Sequence, residues 1–203
     1  YASLPEQHRF VIPDGCHWQE VRERTENLGA AIVGAMRQIE IANPDTLYGV
    51  LSMFSSQKWT NKAILNDSKI RDLIEHLSKR KLGNKDYPAD LMGDAYEILL
   101  KKFADDSKAQ AGEFYTPRAL TDFMVEILNP QLGESFGDFT SGTGGFLTSA
   151  LNHLYKQVKT TNDVKLFQTA VIGQEWKPLP YLLSITNLLV HDIEAPNIIH
   201  CDS

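Results

Sequence analysis

The chain has 203 residues, of which 42% are hydrophobic and 23% are charged, the composition of an ordinary globular protein with one or two domains. Its 20 Lys and Arg against 26 Asp and Glu give a net charge of -6, which excludes a strongly basic nucleic-acid binder of the histone kind. No apolar run reaches the roughly 18 residues that a membrane-spanning helix needs.

The two ends of the chain and its cysteines indicate a cytoplasmic fragment of a longer protein. Residues 1–5 lack the basic and apolar segments of a signal peptide. Cys16 and Cys201 lie far apart in the sequence, which is no disulfide framework and fits a reducing cytoplasm. Because the chain begins with Tyr1 and stops at Ser203 with no closing element, we expect a fragment.

Residues 1–110 are predicted to form a helical domain. They hold 15 basic and 16 acidic residues, a net charge of -1, whereas residues 111–203 hold 5 and 10, a net charge of -5. Asn43 before Pro44 predicts a helix break, because proline disfavours the helical conformation of the preceding residue. Residues 47–54 fit either a helix or a buried turn. Helical spacing predicts three apolar stripes. The first is Val21, Leu28, Ile32, Ala35, Met36 and Ile39. The second, after an N-cap at Asp67 or Ser68, is Ile70, Leu73, Ile74 and Leu77, and the third, after a cap at Asp90, is Met92, Ala95, Tyr96, Leu99 and Phe103.

A short basic cluster, Lys79, Arg80, Lys81 and Lys85, leaves two interpretations open. It could contact DNA phosphates, or it could be the solvated last turn of the helix that Gly83 ends. We favour the second interpretation because the cluster is short and has no aromatic residues within it.

Residues 111–203 alternate between helix and strand, which is typical of a parallel sheet with crossover helices. The first helix runs from Arg118 to Leu128, with Thr116 as its predicted N-cap and Pro117 as its first residue. Its predicted stripe is Leu120, Phe123, Met124, Ile127 and Leu128. Strands are predicted at 135–139, 170–173 and 197–200. A helix lies between each pair of strands. The second of these helices is predicted to span 179–190, and the first has its core face at Leu147, Ala150, Leu151 and Leu154.

A glycine-rich stretch, Asp138-Phe139-Thr140-Ser141-Gly142-Thr143-Gly144-Gly145-Phe146, follows the first strand and opens a helix. We call residues 138–146 the glycine turn. Glycines let the backbone approach a ligand closely and a helix start presents N–H groups, so the turn is predicted to bind a ligand. The dinucleotide fingerprint needs a glycine where Leu147 stands, and the Gly-Lys-Ser/Thr of a P-loop does not occur. Dinucleotides and nucleoside triphosphates therefore fit poorly.

An acidic residue stands at or beyond the predicted end of each strand: Asp138, Glu175 and Asp202. Open parallel sheets bind ligands beyond the carboxyl ends of their strands, and an acid after the second strand can bind both ribose hydroxyls of an adenosine. Asp202 would lie near the adenine by the same topology. Glu175 lies further from Asp138 than the usual spacing of about 20 residues, and the polar stretch 156–165 could hold the excess.

Two motifs, Gly112-Glu113-Phe114-Tyr115-Thr116-Pro117-Arg118 and the Asp-x-x-Ser-Gly-Thr-Gly-Gly-Phe of the glycine turn, resemble those of a known family. The family is the modification (M) subunits of type I restriction-modification systems, which are S-adenosylmethionine-dependent adenine-N6 DNA methyltransferases. The resemblance extends to residues 173–175, to Asn187-Leu188-Leu189-Val190-His191-Asp192-Ile193, and to the helical half at 39–51 and 90–97. It therefore covers nearly the whole chain.

The resemblance implies an α + α/β architecture, with an N-terminal helical domain at 1–110. The first part of a Rossmann-like class I S-adenosylmethionine-dependent methyltransferase sheet follows at 111–203. Residues 113–118 would line the methionine end of the cofactor, with Thr116 near its carboxylate, and the glycine turn would wrap its methionine and ribose. Asp138 would orient the amino group, Glu175 would bind the ribose hydroxyls, and no metal site is implied. The implied cofactor-binding residues are Glu113, Phe114, Tyr115, Thr116, Pro117, Arg118, Asp138, Ser141, Gly142, Thr143, Gly144, Gly145, Glu175 and, at the adenine, Asp202.

The chain departs from the family pattern at two points. Phe139-Thr140 stands where the family usually has Pro-Ala, which puts a bulkier side chain in the glycine turn. The catalytic Asn/Asp-Pro-Pro-Phe/Tyr motif, which holds the flipped adenine, is missing because no two prolines of the chain are adjacent. We therefore expect no catalytic residue in this chain: the parent protein would methylate N6 of adenine in specific DNA, and the fragment alone would be inactive.

The implied partners are a specificity (S) subunit, a restriction (R) subunit, a second M subunit and double-stranded DNA, with no membrane. The helical domain would contact either a subunit or DNA. We expect weak DNA binding by the chain alone, because the charge of residues 111–203 offers no broad cationic groove. Two alternatives remain open: a methyltransferase that acts on another class of substrate, and a non-catalytic interaction module.

Overall fold

The computed structural model describes residues 10–47, 49–54, 57–79, 89–106 and 115–201. The chain divides into two compact units, residues 1–86 and residues 87–203. We call the first the helical unit and the second the sheet unit, and describe each by itself. None of the described helices is both long and apolar enough to cross a membrane.

The helical unit is built from short helices around two small apolar clusters. One cluster joins Cys16, Val21 and Ala35, and the other joins Leu28 to Ile70 and Ile74 of the last helix. The predicted break at Asn43-Pro44 is confirmed, and residues 47–54 contain helix ends rather than one continuous helix. The helices are α1 (Trp18–Glu23), α2 (Leu28–Ala42), α3 (Pro44–Leu47), a 3-10 helix (Leu51–Phe54), α4 (Gln57–Thr60) and α5 (Asp67–Ser78).

The helix caps of this unit differ from the prediction. The N-cap of α5 is Asn66 rather than Asp67 or Ser68, and its side chain accepts the N–H of Lys69 at 2.9 Å. Asp67 instead accepts the N–H groups of Asn27 and Leu28, at 3.2 and 3.0 Å, where α2 begins. Asn27, with a φ of 53°, also separates α1 from α2 within a stretch that periodicity predicts as one stripe. Because Asp67 belongs to α5, the residues around the start of α2 contain no pattern that would predict this cap.

The predicted apolar stripes are only partly buried. In α5, Ile70 and Ile74 are buried, but Leu73 and Leu77 are 43% and 45% exposed. A helix in a small unit buries a narrow face, so the outer residues of a wide stripe remain at the surface. Of the basic cluster, Lys79 follows α5 as its C-cap, whereas Arg80, Lys81 and Lys85 lie outside the described residues.

The sheet unit contains the parallel sheet that the strand and helix alternation predicts. Its strand order is β1-β2-β3, all parallel, and Asp138 pairs with Gly173, which pairs with Ile198. Parallel strands align their carboxyl ends, so Asp138, Glu175 and His200 all lie at one edge. The elements are α6 (Ala89–Asp106), α7 (Arg118–Leu128), β1 (Phe136–Asp138), α8 (Gly145–Tyr155), α9 (Thr161–Gln168), β2 (Val171–Glu175), α10 (Pro178–Val190) and β3 (Ile198–His200).

The helices α8 and α10 form the core of this unit with the sheet, α8 against β1 and β2 and α10 against β2 and β3. The predicted core face of α8, at Leu147, Ala150, Leu151 and Leu154, is confirmed as fully buried. Gly173 lies between α8 and β3: a Cβ there would be 2.4 Å from the Cδ1 of Ile198. This packing fixes the loops at the carboxyl ends of the strands.

The extent of the sheet unit differs from the predicted organisation. The boundary between the units falls between Asp86 and Tyr87 rather than after residue 110, because α6 packs on α10. Periodicity predicts the helix but does not identify the element that it packs against. The polar stretch 156–165, which the spacing of Asp138 and Glu175 singles out, contains the start of α9 at Thr161 behind a capping box of Thr160 and Asp163.

The prediction for α6 is correct at Tyr96, which is partly buried against α10, and wrong at two other positions, whereas the predicted face of α7 is wrong. In α6, Leu100 is buried while Ala95 and Leu99 are exposed, and the side chains of Met92 and Phe103 lie outside the described residues. In α7, Thr121 and Val125 are buried. The cap of α7 is Pro117, without a side-chain hydrogen bond, rather than Thr116. The predicted α7 stripe of Leu120, Phe123, Met124, Ile127 and Leu128 is exposed.

Candidate functional site

The glycine turn is held against the end of β2 by hydrogen bonds of Ser141. The backbone N–H and the hydroxyl of Ser141 both donate to the carbonyl oxygen of Gln174, at 2.9 and 3.2 Å. Gly142 and Gly144 have φ values of 54° and 81°, a left-handed conformation that glycine adopts without steric cost. A Cβ on Gly144 would lie 2.9 Å from the Oγ of Ser184, so the turn also needs glycine for close packing.

Glu175 lies beside the glycine turn at the end of β2. Its Oε2 accepts the N–H of Gly142 at 2.8 Å, and its Oε1 accepts the N–H of Lys177 at 2.8 Å. A carboxylate offers about four acceptor positions, so these two bonds fix its orientation and leave capacity for two hydroxyl donors. The structure therefore brings Glu175 and the glycine turn together, as the strand ends predict.

Asp138 forms the second carboxylate of this edge. Its Oδ1 accepts the N–H of Thr140 at 3.1 Å. Burial raises the pKa of Asp138 above its ordinary value, and the negative charge of Glu175 raises it further, while the Thr140 bond acts in the opposite direction. Two neighbouring carboxylates favour a ligand that carries positive charge on the side facing them.

A buried polar cluster lies behind the glycine turn. The guanidinium of Arg118 donates from Nε and Nη2 to both carboxylate oxygens of Glu97, with an Nε–Oε2 distance of 2.6 Å. The amide of Asn187 donates to Glu97 Oε1 at 3.0 Å and to the carbonyl of Thr143 at 2.9 Å. Glu97 and Asn187 were not predicted as site residues, because a polar residue on the inner face of a helix does not stand out in a periodicity pattern.

A crevice of about 510 Å³ opens at the carboxyl ends of β2 and β3. Its Trp176 is 61% exposed, and the ring of His200 stacks on Tyr181 at 4.6 Å. The Nε2 of His200 lies 2.9 Å from the carbonyl of Trp176. None of these aromatic residues was predicted, although Trp176 directly follows Glu175. The crevice is lined by Trp176, Lys177, Pro178, His200 and Cys201.

The remaining predicted site residues fall into two groups. Arg118 lies against the glycine turn, since a Cβ on Gly145 would be 2.5 Å from its Nη1, and the ring centre of Tyr115 lies 5.9 Å from the Arg118 guanidinium carbon. Thr116 and Pro117 lie between them, while Glu113, Phe114 and Asp202 lie outside the described residues. Phe139 is 65% exposed and its ring lies over Gly137, outside the hydrogen bonds of the turn.

Comparison with known proteins identifies the family. The model of the N-6 DNA methylase family matches residues 87–203, more than half of the chain. The EcoEI methylase subunit of a type I restriction enzyme from Escherichia coli is 44% identical over 139 residues, which are 68% of this chain and 28% of that protein. The MjaIX methylase subunit from Methanocaldococcus jannaschii is 30% identical over 188 residues, 92% of this chain and 32% of that protein.

A solved structure shares the fold. It is the type I restriction-modification system methyltransferase subunit from Streptococcus thermophilus, with a TM-score of 0.74, 23% identity and coverage of 99% of this chain and 42% of that one. The chain spans about a third of the length of the two curated relatives, 28% and 32%. The family match shows that the chain belongs to the N-6 DNA methylase family, and the two relatives to which it is similar are methylase subunits of type I restriction enzymes.

Proposed function

We propose that the protein to which this chain belongs transfers a methyl group from S-adenosylmethionine to N6 of adenine in specific DNA. This chain would contribute the cofactor-binding residues. The observation that carries the proposal is the contact between Glu175 and the N–H of Gly142, at 2.8 Å. It joins an acidic strand end to a glycine turn at the carboxyl edge of a parallel sheet, where such sheets bind ligands.

The residues at this edge fit S-adenosylmethionine in shape. The turn presents backbone at Gly142 and Gly144, where a side chain would need a left-handed conformation. Glu175 is oriented and retains acceptor capacity for ribose hydroxyls, and the crevice at Trp176 and His200 offers aromatic surfaces for an adenine ring. A nucleoside could therefore lie across the ends of β2 and β3.

The charge of the edge also fits this cofactor. S-adenosylmethionine carries a sulfonium and an ammonium group against one carboxylate, so it is a cation. Asp138 and Glu175 provide negative charge beside the glycine turn. This complementarity distinguishes the site from one that binds phosphates, which would need cationic side chains or free N–H groups at the same place.

When bound, the cofactor supplies an activated methyl group on its sulfonium sulfur. Asp138 would hold the ammonium group, Glu175 would hold the ribose, and the glycine turn would exclude water from the methionine chain. The acceptor adenine would be held by residues outside this chain, since the Asn/Asp-Pro-Pro-Phe/Tyr motif does not occur here. Transfer then depends on alignment of the two substrates, which is a contribution of orientation.

In the proposed whole protein, the three strands are one half of a doubly wound Rossmann-like sheet. Their order matches the 3-2-1 half of that arrangement. Ile199 on β3 and Phe123 and Ile127 on α7 are more than half exposed, and exposed apolar side chains on two separate elements suit contact with a covering partner. The rest of the methyltransferase domain would cover these faces.

The proposed partners are those of a type I system: a specificity subunit, a restriction subunit, a second modification subunit and double-stranded DNA. The names of the relatives support assembly into a restriction enzyme. Recognition of the target sequence would belong to the specificity subunit. A cytoplasmic location is part of the proposal, since Cys16 and Cys201 are both free thiols.

Calorimetric titration of the full-length protein with S-adenosylmethionine tests cofactor binding. We expect saturable binding, and a folded protein that releases no heat at ligand concentrations on the order of millimolar would contradict the proposal. Transfer is tested with the specificity subunit present, by following a tritiated methyl group into duplex DNA. We expect to recover the label as N6-methyladenine. If the DNA stays unlabelled while a protein becomes labelled, the parent protein is a methyltransferase that acts on another class of substrate.

Replacing Asp138 with asparagine is expected to stabilise the cofactor-free protein at neutral pH and to weaken cofactor binding. The amide keeps the acceptor for the Thr140 N–H but removes a partly buried charge. Because the folded-state pKa is raised, the stability associated with Asp138 is present below its unfolded pKa of about 4 and lost as pH rises through the folded value.

Urea unfolding of both proteins across this pH range measures the difference. The stability of Asp138→Asn relative to the unmodified protein should increase with pH. In the unmodified protein, cofactor affinity should rise with pH as Asp138 loses its proton, and this rise should be absent in Asp138→Asn. A stability difference that is constant with pH would show that Asp138 is not titrating in this range.

A further inference from the structure

We propose that Glu97 is a positioning residue, which acts through Arg118 and Asn187 to hold the backbone of the glycine turn in its ligand-binding conformation. The proposal rests on the proposed function, because it assigns Glu97 a role in cofactor binding. It concerns Glu97 of α6, which lies in the 90–97 stretch of the resemblance but is not among the cofactor-binding residues that the resemblance implies.

Glu97 is the shared acceptor of the polar cluster. Its Oε1 accepts from Arg118 Nη2 and from Asn187 Nδ2, and its Oε2 accepts from Arg118 Nε. The Glu97 and Arg118 side chains are only 18% and 23% exposed, so solvent screens this pair much less than a surface ion pair. An uncharged glutamine in place of Glu97 would keep one acceptor oxygen but present an NH₂ donor where the other oxygen now accepts from Arg118 or Asn187.

The two partners of Glu97, Asn187 and Arg118, lie against Thr143 and Gly145 of the glycine turn. Asn187 donates to the carbonyl of Thr143 at 2.9 Å. Arg118 Nη1 lies where a Cβ on Gly145 would be only 2.5 Å away. Between them, Ser184 Oγ lies closest to Gly144, 2.9 Å from the position of a Cβ. The glycine turn is therefore supported from behind by side chains of α7 and α10, two of which depend on Glu97.

The support reaches the ligand side of the turn through the backbone. Thr143, which Asn187 holds, directly follows Gly142, whose N–H donates to Glu175. A shift of the Thr143 carbonyl would move the Gly142 N–H and release the orientation of the Glu175 carboxylate. Glu97 thus lies on the opposite side of the turn from the proposed cofactor and controls the geometry of a group that would contact it.

The polar cluster has few other hydrogen-bond acceptors that could replace Glu97. Within the described residues, three buried atoms already lack a hydrogen-bond partner, namely Arg118 Nη1, Ser184 Oγ and Asn187 Oδ1. A partly satisfied buried polar network is sensitive to the loss of one further partner. Glu97 accepts most of the hydrogen bonds in the polar cluster. The conformation of the glycine turn therefore depends on the charge of Glu97.

Replacing Glu97 with glutamine in the full-length protein tests the proposal, because the amide keeps the shape and removes the charge. Tyr96→Phe is the matched control: Tyr96 is the neighbouring residue of α6, and its hydroxyl donates to the Leu183 carbonyl of α10 at 3.0 Å without touching the turn. Both variants thus lose polar contact between the same two helices.

We expect Glu97→Gln to weaken S-adenosylmethionine binding about tenfold, the effect of losing one hydrogen bond to a charged group, and Tyr96→Phe to change it less than about twofold. Glu97→Asp, which keeps the charge on a shorter side chain, should fall between them. Equal losses for Glu97→Gln and Tyr96→Phe, or no loss for either, would overturn the positioning role.

Hydrogen exchange without cofactor gives a second readout. Amides in peptides covering residues 139–147 should exchange faster in Glu97→Gln than in the unmodified protein and in Tyr96→Phe. If the unmodified protein does not bind S-adenosylmethionine, the proposed function fails, while the exchange rates still decide the role of Glu97. Unchanged exchange of these amides in Glu97→Gln would overturn it.

Discussion

Replacing Gly29 with alanine is expected to destabilise the helical unit by several kcal/mol, on the order of 3 or more. A Cβ at this position of α2 would lie 1.8 Å from the backbone oxygen of Trp59 and 2.9 Å from its carbonyl carbon. These are backbone atoms of α4, which cannot move aside by a change of rotamer. Accommodation of the methyl group requires α2 and α4 to separate and opens the core at Leu28.

Gly34→Ala provides the matched control for this prediction. Gly34 lies in the same helix, and apart from its chain neighbours and the adjoining helix backbone, no atom of the described residues lies within 4 Å of the position of its Cβ. Alanine should therefore stabilise α2 there by up to about 1 kcal/mol, the difference in helix propensity. Urea unfolding followed by circular dichroism measures both variants. Similar free energies of unfolding for the two would show that α2 and α4 are not in close contact at Gly29.

Replacing Glu175 with glutamine is expected to reduce the affinity for S-adenosylmethionine by about 100-fold, since bonds to a charged acceptor contribute about 1.5–3 kcal/mol each and 1.4 kcal/mol is tenfold. Two consequences of the substitution contribute to this loss of affinity. The neutral side chain would lose charge-assisted acceptance of ribose hydroxyls, and its NH₂ group would face the N–H of Gly142 or Lys177, both of which now donate to the carboxylate.

Glu126→Gln controls for the change in net charge, because Glu126 is an exposed residue of α7. Calorimetry should give this variant the affinity of the unmodified protein, and thermal unfolding should show that both variants are folded. An unchanged affinity in Glu175→Gln would remove the central support for the proposed cofactor site. A drop in both variants would instead indicate a general electrostatic effect.

Local patterns were sufficient for much of the sheet unit. The glycine turn identified a strand end and a helix start because glycines with left-handed φ values have few other uses at such a junction. The buried face of α8 was predicted correctly, since the helix is covered by the sheet and by neighbouring helices, and burial on several sides agrees with a simple hydrophobic pattern. Glu175 was found because it directly follows a short apolar strand.

Where a helix has one exposed side, the same patterns failed. The apolar stripe of α7 is exposed, and its buried contacts include the Thr121 hydroxyl at 2.7 Å from that of Ser149. The inner face of α6 carries Tyr96 and Glu97 rather than Leu99. Hydrophobicity measures the preference of a residue for burial, but the partner that provides the burial is a property of the whole fold.

The amino-acid pattern alone is enough to predict a helical part, a parallel sheet, and acidic residues beside a glycine turn at the strand ends. These features depend on the spacing of nearby residues and on the conformations that each residue type prefers. The folded structure was needed to show that α6 belongs to the sheet unit, that Asp67 accepts the N–H groups at the start of α2, and that Glu97 binds Arg118 and Asn187 behind the turn. Each of these contacts joins residues far apart in the chain, so its energy depends on packing that no local pattern contains.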